Sequence, residues 1–238
     1  MAEAITDRQL VAVLRPFVRA AGPVLEGLRE SDPFGLRSRV LRRFRLPGTP
    51  AWASMDVDAR CDWWVSRVGR FTAALASIPG IGGALADRLP VTDALGAAGQ
   101  GLLLCAIAGE HGVEDVGTRV LLLGAVLFGR EIDPAVAAGQ PSAEEQQRVE
   151  ELTGELRSRR LLAPTAVAGA IWRLGRMLWS VPAELGRRPH GRWYHRLVGA
   201  VPVVGIVGDY LGERSGLKRA SRAGCAWIRG RQGARQAT

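Results

Sequence analysis

Sixteen consecutive uncharged residues, 94–109, lie between Asp93 and Glu110, and such a segment has few places to go. As a helix it extends about 24 Å, short of the ~30 Å hydrocarbon layer of a bilayer. It therefore packs inside protein or lies shallowly in a membrane surface. Small residues recur along it at every fourth position, Ala97, Gly101, Cys105 and Gly109, which predicts a groove that a second helix can approach closely. Those four are the expected helix-packing residues, and membrane-embedded packing is the other use of the same pattern.

Elsewhere apolar residues repeat at alternating spacings of four and three, the signature of amphipathic helices. Behind a capping box at Thr6-Asp7-Arg8-Gln9 run Leu10, Leu14, Phe17, Ala21, Val24 and Leu28, interrupted by Pro16 and Pro23. This predicts a kinked or split helix. Val57, Cys61, Trp64, Val68, Phe71 and Leu75 form a second stripe, opened by Ser54 or Asp56. Thr92 or Asp93 caps the uncharged helix, His111-Gly112 ends it, and another helix is expected from about Asp115 to Phe128, followed by a loop over 133–141. Ser142-Ala143-Glu144-Glu145 reads as a second capping box. It opens a helix whose apolar stripe is only Val149, Leu152 and Leu156, so most of it faces water. Further helices are expected over 165–180, over 193–211 with a break at Pro202, and over 215–229. No sustained period-two alternation or hairpin signal occurs.

The expected fold class is therefore all-α, a compact helical bundle with Gly/Pro-broken apolar helices, and 238 residues are enough to bury a core. Three parts are expected: residues 1–50, a kinked amphipathic helix and basic segment; 51–230, a helical domain; and 231–238, a disordered basic tail. Ile78-Pro79-Gly80-Ile81-Gly82 and Val201-Pro202-Val203-Val204-Gly205 share one pattern. It reads either as a duplicated broken-helix hairpin or as coincidence in a chain with 30 glycines.

Net charge is +9, and all 32 basic residues except Lys218 are arginine, which favours polyanionic partners. Two zones are expected to bind an anionic surface. One is Arg37, Arg39, Arg42, Arg43 and Arg45, with Leu36, Val40 and Phe44 on the opposite helical face. The other is Lys218, Arg219 and Arg222, continued by Arg229, Arg231 and Arg235. Each suits anionic lipid or nucleic-acid phosphate, and a merely solvated face is the plainer alternative. Trp172 and Trp179 share a helical face with Arg173 and Arg176, and Trp193 and Trp227 also neighbour arginines. This pairing suits a membrane headgroup layer or cation–π packing on a protein surface.

Signals for catalysis are poor. Cys61, Cys105 and Cys225 are far apart and odd in number, and are expected as buried free thiols in a reducing compartment. His111, His190 and His195 have no companions at metal-ligand spacing, so no metal is expected. Gly80-Ile81-Gly82-Gly83 follows a helix and is no dinucleotide fingerprint. Gly212-Glu213-Arg214-Ser215-Gly216-Leu217-Lys218 only imitates a phosphate loop, because Leu217 precedes the lysine and Arg219 stands where Ser or Thr is required. No catalytic residue and no cofactor is expected. The first seven residues show no basic and apolar regions of a signal peptide, so the chain is expected on the cytoplasmic side.

Leu89-Pro90-Val91-Thr92-Asp93, Gln100, Leu103, Ile107-Ala108, His111-Gly112 and Arg119-Val120-Leu121-Leu122 together resemble the core of the EcsC family. Residues 201–208, Val-Pro-Val-Val-Gly-Ile-Val-Gly, resemble that family's closing Pro-x-x-Gly segment, followed by an alanine-rich helix at 220–226. The likeness covers about residues 66–228 and departs at Asp209-Tyr210, where an aromatic or Asn would follow the last glycine. It implies a bacterial helical protein at the cytoplasmic membrane, linked to transport or secretion, with no active site to carry over. The expectation is a non-enzymatic protein held peripherally or monotopically on the inner face of that membrane. The alternative is a soluble helical adaptor whose arginine-rich face binds an acidic protein or nucleic acid.

Overall fold

The computed structural model describes residues 6–30, 49–76, 91–158, 164–179 and 205–236. Within them the chain is all helix, with no strand: α1 (Asp7–Glu30), α2 (Pro50–Ala53), α3 (Val57–Ala76), α4 (Val91–Glu110), α5 (Val116–Phe128), α6 (Pro134–Ala137), α7 (Ala143–Ser158), α8 (Pro164–Trp179) and α9 (Gly205–Gln236).

Helix starts follow local side-chain chemistry. Thr6 and Gln9 make a reciprocal capping box, with Thr6 N–H donating to Gln9 Oε1 at 2.8 Å and Gln9 N–H to Thr6 Oγ1 at 3.3 Å. Asp56 caps α3 through Ala59 N–H at 2.6 Å, and Asp115 caps α5 through Thr118 N–H at 2.6 Å. The split alternative for α1 and the uninterrupted loop over 133–141 are corrected. α1 is one helix with Pro16 and Pro23 inside it, because Leu10, Leu14, Phe17, Ala21, Val24 and Leu28 are all fully buried and hold both halves on one core. The loop over 133–141 contains a turn of helix, α6, capped by Asp133 with Pro134 in the first position, where the missing N–H costs nothing. Thr92 and Asp93 lie within α4 instead of capping it.

α4 is the axis of the bundle. It packs against α1, α3, α5, α8 and α9, and every residue from 97 to 108 is buried. No described helix is long and apolar enough to cross a membrane. Of the two uses expected for the uncharged segment, residues 97–108 show packing inside protein, covered by the neighbouring helices. Ala97, Gly101 and Cys105 lie in the packed face, whereas Gly109 is exposed at the helix end. A Cβ on Gly101 would stand 2.5 Å from Phe17 Cζ of α1, so the ring occupies the space that the glycine leaves. A Cβ on Gly224 of α9 would stand 2.6 Å from Leu104 Cδ2 of α4.

α1 also packs on α5, α7 and α8, and its buried residues belong to the same core cluster as theirs. Its contact with α7 includes an electrostatic bridge besides the packing. Ser142 Oγ accepts from Glu145 N–H at 3.1 Å, but the Glu145 carboxylate does not close the second capping box. Instead it bridges Arg15 at 3.3 Å and Arg19 at 2.7 Å, with the Glu145 side chain only 9% exposed. Glu145→Gln is expected to lower stability by about 2 kcal/mol, below the usual cost of breaking a buried pair because Arg19 remains partly solvated. Urea denaturation followed by circular dichroism reads this directly, and an unchanged midpoint would mean that the bridge contributes nothing.

α9 runs unbroken from Gly205 to Gln236. The expected separation near residue 212 is corrected, and residues 231–236 of the expected tail continue the helix. Leu217, Ala220, Cys225 and Ile228 give the helix a continuous buried stripe, and Gln232 Nε2 donates to His111 O at 3.1 Å near its end. The phosphate-loop imitation at 212–218 is thus helical. The 37–45 arginine run, residues 78–82 and 201–204 of the paired Pro-Gly segments, His190, His195 and Trp193 lie outside the described residues.

Candidate functional site

Cys61, His111 and Cys225 meet where α3, the end of α4 and α9 converge, with their ligand-capable atoms all within 4.8 Å of one another. Each is delivered by a feature of its own segment. Cys61 belongs to the α3 stripe that includes Trp64 and Val68, and it is 3% exposed. Cys225 belongs to the α9 stripe and is 5% exposed. His111 terminates α4, where the chain reverses at Gly112. There φ is +71°, a region in which a side chain is strained, and Val113 N–H returns to Ala108 O at 2.8 Å.

The site is electrostatically tuned. A hydrogen bond from the Cys61 thiol favours the thiolate at Cys225, and His111 and Arg229 favour it further, against the cost of burial, so Cys225 ionises below the ordinary thiol range. Cys61 moves the opposite way, through the same shared proton, through burial, and through the nearby charges of Glu110 and Asp58. Cys105 sits elsewhere in α4, and burial pushes its thiol up to about 12, so it behaves as the inert apolar filler expected of it. The imidazole of His111 is half-buried, and its Nε2 has no hydrogen-bond partner among the described residues.

Beside this cluster, Glu110 is held by three groups. Trp64 Nε1 donates to Oε1 at 3.0 Å, Arg60 approaches Oε2 at 3.5 Å and Arg29 lies 3.8 Å from Oε1. Arg29 also stacks over Trp64 at 5.3 Å, and Trp52, Trp63 and Trp64 form an edge-to-face row with centroids 5.1 and 5.0 Å apart. Trp64 and Trp63 therefore use Arg29 and Arg67 as packing partners. Trp227 does likewise under Arg231, at 5.2 Å.

The second expected binding zone lies on the outer face of α9. Lys218, Arg222 and Arg229 are exposed, and Arg219 and Arg231 are half-buried. None of the ion pairs among the described residues engages Lys218, Arg219 or Arg222. A separate cleft of about 500 Å³ between α1 and α7 is lined by Arg8, Arg15 and Arg148 together with Glu144 and Glu145, so its charges largely offset one another.

Sequence reasoning missed the thiol–imidazole cluster because no two of its members share a local motif. The available signal was weaker: Cys61 and Cys225 each fall on the buried stripe of an amphipathic helix. Compared with family models, with curated proteins and with solved structures, the chain matches none.

Proposed function

We propose that this chain is a non-enzymatic helical protein attached peripherally to the anionic, cytoplasmic face of a bacterial membrane, as an accessory to a transport or secretion system. The observation that carries the reading is the chemistry of α9. From residue 215 to 236 it contains Lys218, Arg219, Arg222, Arg229, Arg231 and Arg235 and no acidic residue. Its apolar stripe is turned into the bundle, which leaves Lys218, Arg222 and Arg229 on the solvent side. Cations near an anionic leaflet contribute about 1 kcal/mol each. The expected attachment is electrostatic, since α4 is occupied with its own neighbours, and it weakens as salt screens it. The 37–45 arginine run supplies a second basic zone on sequence grounds. The resemblance to the EcsC family adds the transport or secretion setting.

Vesicle co-flotation tests this. The protein is expected to float with phosphatidylglycerol-containing vesicles at low salt, to stay behind with neutral vesicles, and to dissociate at high salt. The triple variant Lys218→Gln, Arg222→Gln, Arg229→Gln is expected to bind roughly 100-fold more weakly, from about 1 kcal/mol per cation, with its helical circular dichroism unchanged. No flotation with anionic vesicles overturns the reading. Retention on nucleic acid or an acidic protein in its place assigns the basic ridge to a soluble adaptor.

A further inference from the structure

We propose that Cys61, His111 and Cys225 form a zinc-binding site that fastens the C-terminal helix to the bundle. It is a site separate from the basic ridge, and it does not depend on the attachment reading.

The donor set is the first argument. Two sulfurs and one imidazole nitrogen are soft to borderline ligands. That combination selects zinc among common divalent ions and rejects magnesium and calcium, which require oxygen donors. Geometry is the second. In a tetrahedral zinc centre, ligand atoms stand about 3.6–3.8 Å apart, given Zn–S near 2.3 Å and Zn–N near 2.0 Å. The three donors already lie within 4.8 Å of one another, so an inward shift of about 1 Å completes the ring.

Burial is the third argument. Both thiols are inside the protein, and the buried Nε2 of His111 has no hydrogen-bond partner among the described residues. One nitrogen of this imidazole is among the atoms within 4.8 Å of both sulfurs, so the ring already offers a donor to the two thiols. Zinc with two thiolates is also formally neutral. It therefore adds no net charge next to Glu110, which Arg29 and Arg60 already compensate.

Position gives the site a role. The ligands come from α3, the end of α4 and α9, three segments distant in sequence, so one ion would add to the packing and to the Trp64–Glu110, Arg60–Glu110 and Gln232–His111 contacts that already join these elements. Three protein donors leave a fourth position for water or an exchangeable ligand, as in open zinc centres. Binding to the folded state alone raises its stability by mass action.

The test uses the full chain, reduced and freed of metal with a chelator, and titrated with Zn²⁺ against a chromophoric competitor and with Co²⁺ by absorption. One equivalent is expected to bind, with thiolate-to-cobalt charge transfer in the near ultraviolet and a higher Tm in zinc. Cys61→Ser, Cys225→Ser and His111→Gln are each expected to weaken binding at least 100-fold, while Cys105→Ser binds as the parent does. The cobalt spectrum is read on the unaltered protein, so the proposal stays testable even where a variant misfolds. Absence of stoichiometric binding by the reduced protein, a cobalt spectrum without sulfur charge transfer, or binding that survives all three substitutions each overturns it. Conversion of Cys61 and Cys225 to a disulfide in a protein that takes up no zinc when reduced makes the pair a redox couple and overturns it equally.

Discussion

Trp64→Ala is expected to lower the unfolding free energy by about 4 kcal/mol, the range for removing a large aromatic side chain from a packed interior. The indole is fully buried in α3, and α3 packs against both α4 and α9. Two further losses accompany the cavity. Glu110 loses its donor at 3.0 Å, leaving a carboxylate 8% exposed with only the longer approaches of Arg60 and Arg29. Arg29 loses the ring face on which it rests at 5.3 Å. Trp64→Phe separates these effects. It keeps most of the apolar volume and removes the N–H, so a smaller loss of about 1–2 kcal/mol is expected. For a chain of this size, 4 kcal/mol corresponds to a Tm decrease of roughly 10 °C. Denaturant titrations of both variants decide the matter. A loss below 1 kcal/mol for the alanine variant would show that the row of tryptophans is peripheral to stability.

What was legible in the sequence was local or periodic. The stripe of α1, and Cys61, Trp64, Val68 and Phe71 of the α3 stripe, named buried residues because a helix presents one face to a core, and the periodicity records that face whatever lies opposite. Thr6, Asp56, Asp115 and Ser142 could be found because a cap acts within three residues. The failures share a different cause. Pro16 and Pro23 remain inside α1, where burial along the helix outweighs a local penalty of about 3 kcal/mol for proline, and Gly216 inside α9 costs only about 1 kcal/mol beside the burial of Leu217, Ala220, Cys225 and Ile228. Glu145 sits where a capping box predicts it, yet its carboxylate turns to Arg15 and Arg19, partners set by tertiary approach alone. The convergence of Cys61, His111 and Cys225 was likewise invisible. Three helices must first pack before their donors meet, and no spacing rule spans such separations. The uncharged helix carried two meanings in sequence, and the choice between core and membrane surface was made by the neighbours that cover it.

The second large effect concerns the contact that centres α1 on α4, where Phe17→Ala is expected to cost about 4 kcal/mol. Phe17 is fully buried, and its ring lies where a Cβ on Gly101 would be, 2.5 Å from Cζ and 2.8 Å from Cε1. The pair therefore makes a prediction about sign as well as size. Gly101→Ala on its own gains about 1 kcal/mol of helix propensity but drives a methyl group into the ring, at a typical overpacking cost of about 1–3 kcal/mol. The net expectation is destabilisation. In the Phe17→Ala background the ring is gone, the overpacking cost disappears, and the same Gly101→Ala change is expected to stabilise by up to about 1 kcal/mol. A double-mutant cycle in urea measures the coupling. If Gly101→Ala has the same sign in both backgrounds, the glycine is not there to admit Phe17, and the close approach of α1 to α4 must be attributed to other contacts along the groove.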